Sequence, residues 1–297
     1  MAPGRTRTDA SIDGVLPVDK PAGPTSHGIV ARVRRALGTR RIGHTGTLDS
    51  FASGLMLLCI GRATRIVEYL TGMDKRYTAV VRLGTRTDTH DATGTVLSET
   101  DASDVTLAQV ESALEPLRGE IDQVPPVFSA KKVAGERAYA LAREGAPPEL
   151  PPARVRIDEL RVTRFEPPEL ELEIACSSGT YIRAIARDIG EALGVGAHLT
   201  QLRRTSVGPH TIDRALTLDA IESDPKTAIA ALIPPLAALG DMPRVDITDD
   251  EIAHVTHGRP IANEHGHTGL VALALDGSLV SIGEAVGPEI HPRKVFV

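Results

Sequence analysis

The chain has 297 residues, 41% apolar and 24% charged, enough for one large domain plus a small one and unlike a fibre or a disordered tract. Two cysteines exclude a disulfide framework, and the chain has no apolar run of roughly 18 residues to suggest a membrane helix. The formal net charge is −6, yet between Asp19 and Glu68 the cations Lys20, Arg32, Arg34, Arg35, Arg40, Arg41, Arg62 and Arg65 face only Asp49, so that segment carries +7 against −13 elsewhere; such a basic face can steer a polyanion even on an acidic protein.

The polar start, residues 1–12, is expected to be a disordered tail without a signal-peptide core, and the cytoplasm is the expected compartment. Residues 14–18 read as a strand, and Thr25 or Ser26 can cap a helix with Ile29, Val33, Ala36 and Leu37 on one face and Gly38 at its end. Arg32, Arg34 and Arg35 then point away from that apolar stripe. Ile42 begins a strand, residues 43–54 form a loop rich in Gly, Thr and Ser, and 55–60 read as a strand buried on both faces. Asp49 thus lies on a loop between two core strands, a common position for a catalytic carboxylate.

Farther along, residues 62–70 look helical, 77–83 alternate as a strand and 84–94 are a polar loop. Helices fit 107–117 and 136–143. Alternating strands span 155–165 and 170–177, Gly179 turns the chain, and Thr180 can cap a helix running to Leu193. Pro234-Pro235 and Asp241-Met-Pro243 make a plausible linker, followed by a hairpin of 270–275 and 279–284 around Asp276-Gly277. Strands and helices mix without a βαβ repeat, so an α+β fold with a mixed, mainly antiparallel sheet is expected, with residues 13–233 as the catalytic domain and 244–297 as a small β-rich domain.

No glycine-rich stretch matches a P-loop or a dinucleotide fingerprint, so no nucleotide cofactor is expected. His254, His257, His265 and His267 lie close in sequence, but without cysteines and within Gly/Pro-rich loop they read as loop histidines and no metal is expected. Cys59 and Cys176 read as buried free thiols.

Four separated segments carry more information together: Lys20-Pro21, Gly43-His-Thr-Gly-Thr-Leu-Asp49 continuing to Gly54, Lys75-Arg-Tyr77, and Gly179-Thr-Tyr-Ile-Arg183. They resemble the motifs of the TruB family of tRNA pseudouridine synthases, which modify uridine 55 in the T-arm. The resemblance extends through residues 84–94, 129–139 and 196–205 and covers about 14–210. It implies a pseudouridine-synthase catalytic fold, a monomer, tRNA as partner, and no cofactor, because breaking ribose C1′ from uracil N1 and joining it to C5 balances atoms and electrons.

By this resemblance Asp49 is the essential aspartate, and Arg183 the arginine paired with it, a cation within about 4 to 6 Å that would keep the carboxylate ionised. Tyr77 corresponds to the aromatic that stacks on the flipped uracil, and Tyr181 borders the aspartate. His44 corresponds to a T-loop contact, Leu202 to an apolar pocket wall, and Lys20 to a residue that supports the loop or binds phosphate. Two departures stand out. Ser50 and Phe51 replace the family's usual Pro and Leu, which is expected to loosen the catalytic loop and alter the pocket, and the C-terminal residues match the family's RNA-binding PUA domain only weakly.

Two rival readings share these residues. A non-catalytic RNA-binding protein would use the basic face and the aromatics without needing Asp49. A metal-dependent hydrolase would be built on His44, Asp49 and the C-terminal histidines.

Overall fold

The computed structural model describes residues 12–129 and 148–296, and of 132–133 and 136–137 the backbone alone. The expected tail therefore lies outside the described residues except for Ile12. The first large block contains strands β1 (Gly14–Lys20), β2 (Ile42–His44), β3 (Ser53–Ile60), β4 (Lys75–Leu83), β5 (Thr85–Thr87), β6 (Val96–Glu99) and β7 (Gly119–Gln123). After the short pair β8 (Lys132–Val133) and β9 (Glu136–Arg137) come β10 (Ala153–Glu166), β11 (Glu169–Cys176), β12 (Ala197–Val207), β13 (His210–Thr211) and β14 (Leu216–Thr217).

One sheet runs in the order β14-β1-β3-β12-β4-β11-β10-β7, with β2 added to β3 and β13 to β12. Within this sheet, among the described residues, only β1–β14 and β3–β12 pair in parallel, so the expected α+β, mainly antiparallel architecture is present. β3 explains its own unbroken apolar run. Met56, Leu58 and Ile60 pack with Ile29, Val30, Val33 and Leu37 of the helix Ser26–Leu37 on one face. Leu55, Leu57 and Cys59 pack on the other with Ala63, Ile66, Leu70 and Phe296. Each large aliphatic side chain fully buried there contributes roughly 1.5–3 kcal/mol.

Thr25 caps that helix, its hydroxyl accepting from the Gly28 N–H at 3.0 Å, and Gly38 ends it in the left-handed conformation at φ 65°. Three expectations need correction. Thr180 does not cap the next helix: its hydroxyl donates to the Ser177 carbonyl, and the helix Ile182–Ala192 starts from Tyr181 with no side-chain cap. The stretch expected to be helical at 62–70 is a 3₁₀ segment, Gly61–Ile66, followed by a short α-helix, Val67–Thr71. Of the helix expected over 136–143, residues 136–137 form β9 and the others lie outside the described residues.

β12, the central strand between β3 and β4, has no clear strand signature in the sequence, because its residues alternate imperfectly and carry two register shifts against β4.

The C-terminal residues form a second sheet, β15 (Arg244–Asp246), β16 (Ile261–Ala262), β17 (Gly269–Leu275), β18 (Ser278–Val286) and β19 (Glu289–Val295), ordered β15-β17-β18-β19-β16. Asp276 and Gly277 both take positive φ, 49° and 74°, as a tight two-residue hairpin turn requires. Ala272, Leu279, Ile282 and Phe296 of this region join the core under β1 and β3, so the second sheet is docked on the first through shared apolar packing. Polar contacts reinforce it: Lys294 binds Glu68, and the Arg65 guanidinium lies 5.5 Å from the Phe296 ring centre.

Candidate active site

β2 and β3 are antiparallel neighbours, and the chain between them, residues 45–52, forms a loop that carries Asp49. Several contacts fix this loop. The Ser26 hydroxyl donates to the Leu48 carbonyl and accepts from its N–H, both at 2.9 Å. The Gly23 N–H donates to the Ser50 carbonyl at 2.7 Å, and the Ala52 N–H to the Asp49 carbonyl at 3.2 Å. The Lys20 ammonium donates to the carbonyls of Pro21, Ser50 and Ala52. The loosening expected from the missing proline is therefore countered, and Phe51 packs half-buried against the main core.

Arg183, in the first turn of the helix Ile182–Ala192, meets Asp49 edge to edge, with Nε 2.8 Å from Oδ2 and Nη2 3.3 Å from Oδ1. Its other donors reach the carbonyls of Thr89 and Phe128, each at 2.9 Å, and Asp91 Oδ2 lies 3.7 Å from Nε. Asp91 is itself held by the Thr89 and Thr93 hydroxyls and the Thr93 N–H. The arginine is buried and fixed on all sides, whereas 40% of the Asp49 side chain is exposed. Such two-point contact sets the orientation of a carboxylate as well as its charge environment.

Asp49 opens into a cavity of about 540 Å³, large enough for a nucleoside. Tyr77, Tyr181, Arg183 and Leu202 line it, with Lys75 and Arg204 beside them. Tyr77 stands on β4, and burial raises its hydroxyl above the ordinary tyrosine range while the Arg204 guanidinium opposes that rise. Tyr181 is anchored through its backbone: its N–H donates to Gln123 Oε1 at 2.8 Å, and Gln123 Nε2 donates to its carbonyl at 3.1 Å.

Two expected residues stand off the cavity wall. Lys20 is fully buried behind the loop, so of its two expected roles its contacts fit support of the loop and not a phosphate contact. Burial lowers its pKa to about 8, against the pull of Asp49. His44 ends β2 with its ring 6.0 Å from that of His27, edge to face, and accepts from the Gly46 N–H at 3.3 Å; burial first, then His27 and Arg204, lower its pKa.

Arg204, Asp91, Gln123 and Ser26 were missed as supports. One signal was present for Arg204: in a strand the consecutive Arg203 and Arg204 must face opposite ways, and Arg203 indeed pairs outside with Asp19 while Arg204 is buried.

The chain's residues 34–182 match the model of the TruB family pseudouridylate synthase N-terminal domain, and 183–239 that of the tRNA pseudouridylate synthase B C-terminal domain. The chain belongs to the TruB family. Among the family's curated members, it is 47% identical over 261 residues to tRNA pseudouridine synthase B of Symbiobacterium thermophilum, covering 87% of this chain and 86% of that protein. It is 46% identical over 280 residues to that of Mycobacterium sp. strain KMS, covering 93% of each. A solved Cbf5-Nop10-Gar1 complex superposes with a TM-score of 0.76 at 28% identity, covering 97% of this chain and 87% of that one. An H/ACA RNP bound to a substrate RNA gives 0.73 at 27%, covering 96% and 86%. The fold is thus shared with chains of the solved Cbf5-containing and H/ACA RNP complexes, and by its family the chain is an isomerase of the tRNA pseudouridine synthase class.

Proposed function

We propose that the protein isomerises uridine 55 in the T-arm of tRNA to pseudouridine, with Asp49 as the catalytic carboxylate and without a cofactor. The observation that carries this reading is the Asp49–Arg183 pair, a part-exposed carboxylate held at two points at the mouth of a nucleoside-sized cavity. The curated relatives' name, tRNA pseudouridine synthase B, supports tRNA as the substrate.

In this reading the uridine leaves the RNA stack, at a cost of a few kcal/mol, and stacking on Tyr77 together with the apolar Leu202 wall offsets it. The C1′–N1 bond breaks, the uracil turns within the cavity, and C1′ bonds to C5. The C5 proton leaves and N1 ends with one, so substrate and product are isomers and no electron enters or leaves. Arg183 holds the Asp49 carboxylate in one orientation throughout, and Tyr181 closes the pocket beside it. His44 lies at the loop edge, where the T-loop would be met. Residues 13–233 carry the site, and the second sheet, 244–297, is read as a PUA-like domain that adds RNA contact area.

The test is base-resolved mapping of pseudouridine in an unmodified tRNA transcript after incubation in EDTA. Pseudouridine at position 55, and none when that uridine is replaced by cytidine, is the expected result. Modification elsewhere with position 55 untouched would refute the assignment of the target.

A further inference from the structure

Four residues of the main sheet lie in one rung across adjacent strands: Lys20 of β1 is paired with Gly54 of β3, Gly54 with Arg204 of β12, and Arg204 with Tyr77 of β4. Neighbouring strands in such a rung are about 4.8 Å apart. The middle of the rung is unusually close, because Gly54, at φ 108°, leaves no room for a Cβ against the Arg204 backbone. The Arg204 side chain is 2% exposed, Nε donates to the Leu55 carbonyl at 2.7 Å and Nη2 to the Gly46 carbonyl at 3.1 Å. Gly46 and Leu55 bracket the segment that bears Asp49. The guanidinium also lies within hydrogen-bonding reach of the Tyr77 hydroxyl, and the residue lines the cavity beside Tyr77.

We infer that Arg204 is a positioning residue for the isomerisation: its guanidinium ties both ends of the Asp49 loop to the strand beside Tyr77 and so fixes the carboxylate relative to the phenol. This inference rests on the catalytic reading of Asp49 given above. A buried cation is costly to place unless its hydrogen bonds are made, and a core filler in this position would not need a guanidinium. Arg204 makes these bonds to two backbone carbonyls, one on the loop at Gly46 and one on β3 at Leu55. A shift of about 1 Å between reacting groups is worth on the order of 100-fold in rate, which makes a clamp at this point consequential.

The test compares wild type, Arg204→Lys and Arg204→Met by single-turnover pseudouridine formation on full-length tRNA, by tRNA affinity and by thermal unfolding. The expected result is a roughly 100-fold slower rate for Arg204→Met at nearly unchanged affinity. Arg204→Lys, which keeps the charge but can reach only one of the two carbonyls well, should recover part of that loss. Rate and affinity falling together, or wild-type rates in both variants, would overturn the inference. Should Arg204→Met not fold, Arg204→Lys decides alone: a slower rate at unchanged affinity supports the clamp, and a wild-type rate refutes it. Failure of the wild type to form pseudouridine would strike the functional reading instead, and is seen in the same experiment.

Discussion

Lys20 shows how a single side chain can belong to a site without facing it. From behind the loop its ammonium donates to the carbonyls of Ser50 and Ala52 and to that of Pro21, and burial lowers its pKa to about 8 from the ordinary 10.5. Between those two values the folded protein binds fewer protons than the unfolded chain, so the contribution of Lys20 to stability is smallest below pH 8 and rises as the pH climbs toward 10.5. Urea unfolding of wild type and Lys20→Met at about pH 7.5 and about pH 10 should show the difference moving in favour of the wild type at the higher pH. A difference that is flat, or that moves the other way, would mean that burial does not lower the pKa of Lys20. Asp49 and Arg183 were legible as a pair from their motifs. Arg204 was not, because an arginine in a run of two reads as surface charge until its strand, and therefore its facing, is known.

At the scale of elements, β3 and β12 set the geometry of the site by running parallel at close approach. Gly54 is the contact point: at φ 108° any other residue is strained, and an added Cβ would collide with the Arg204 carbonyl. Gly54→Ala should therefore cost about 3 kcal/mol or more, read as a lower urea midpoint, since strain and steric displacement add here. A loss under about 1 kcal/mol would show that the strands can part without consequence. Much of this level was readable from sequence: the helix cap at Thr25, the two-sided burial of β3, the alternation of β4, β10 and β11, and the Asp276-Gly277 hairpin all rest on local chemistry. β12 was not, since its neighbours lie far away in the chain and its two irregularities break the period by which strands are recognised. Thr180 failed for a similar reason, its hydroxyl turning to Ser177 within the tight turn at Gly179 rather than to the helix.

For the whole molecule, the basic segment is only partly free. Arg32 is engaged with Glu222 and Asp219, and Arg62 with Asp13, whereas Arg34, Arg35, Arg40 and Arg41 are exposed and make no ion pair among the described residues. Neutralising those four should flatten the dependence of log affinity on log salt by about 3 if each meets a phosphate, and the same change at Arg32 should do less. An unchanged slope would place the RNA on another face. Among the described residues no helix is long and apolar enough to cross a membrane. The docking of the second sheet through Phe296, Ile282 and Ala272 was invisible in the sequence, where Pro234-Pro235 and Pro243 suggested only a linker. In the proposed mechanism one carboxylate, fixed by Arg183, drives the isomerisation. This is tested most directly by release of tritium from tRNA labelled at uracil C5, with wild type and Asp49→Asn compared in EDTA and their tRNA affinities measured alongside. Release by the wild type alone, at near-equal affinity, is the predicted result; release by both, or by neither despite tight binding, would contradict it.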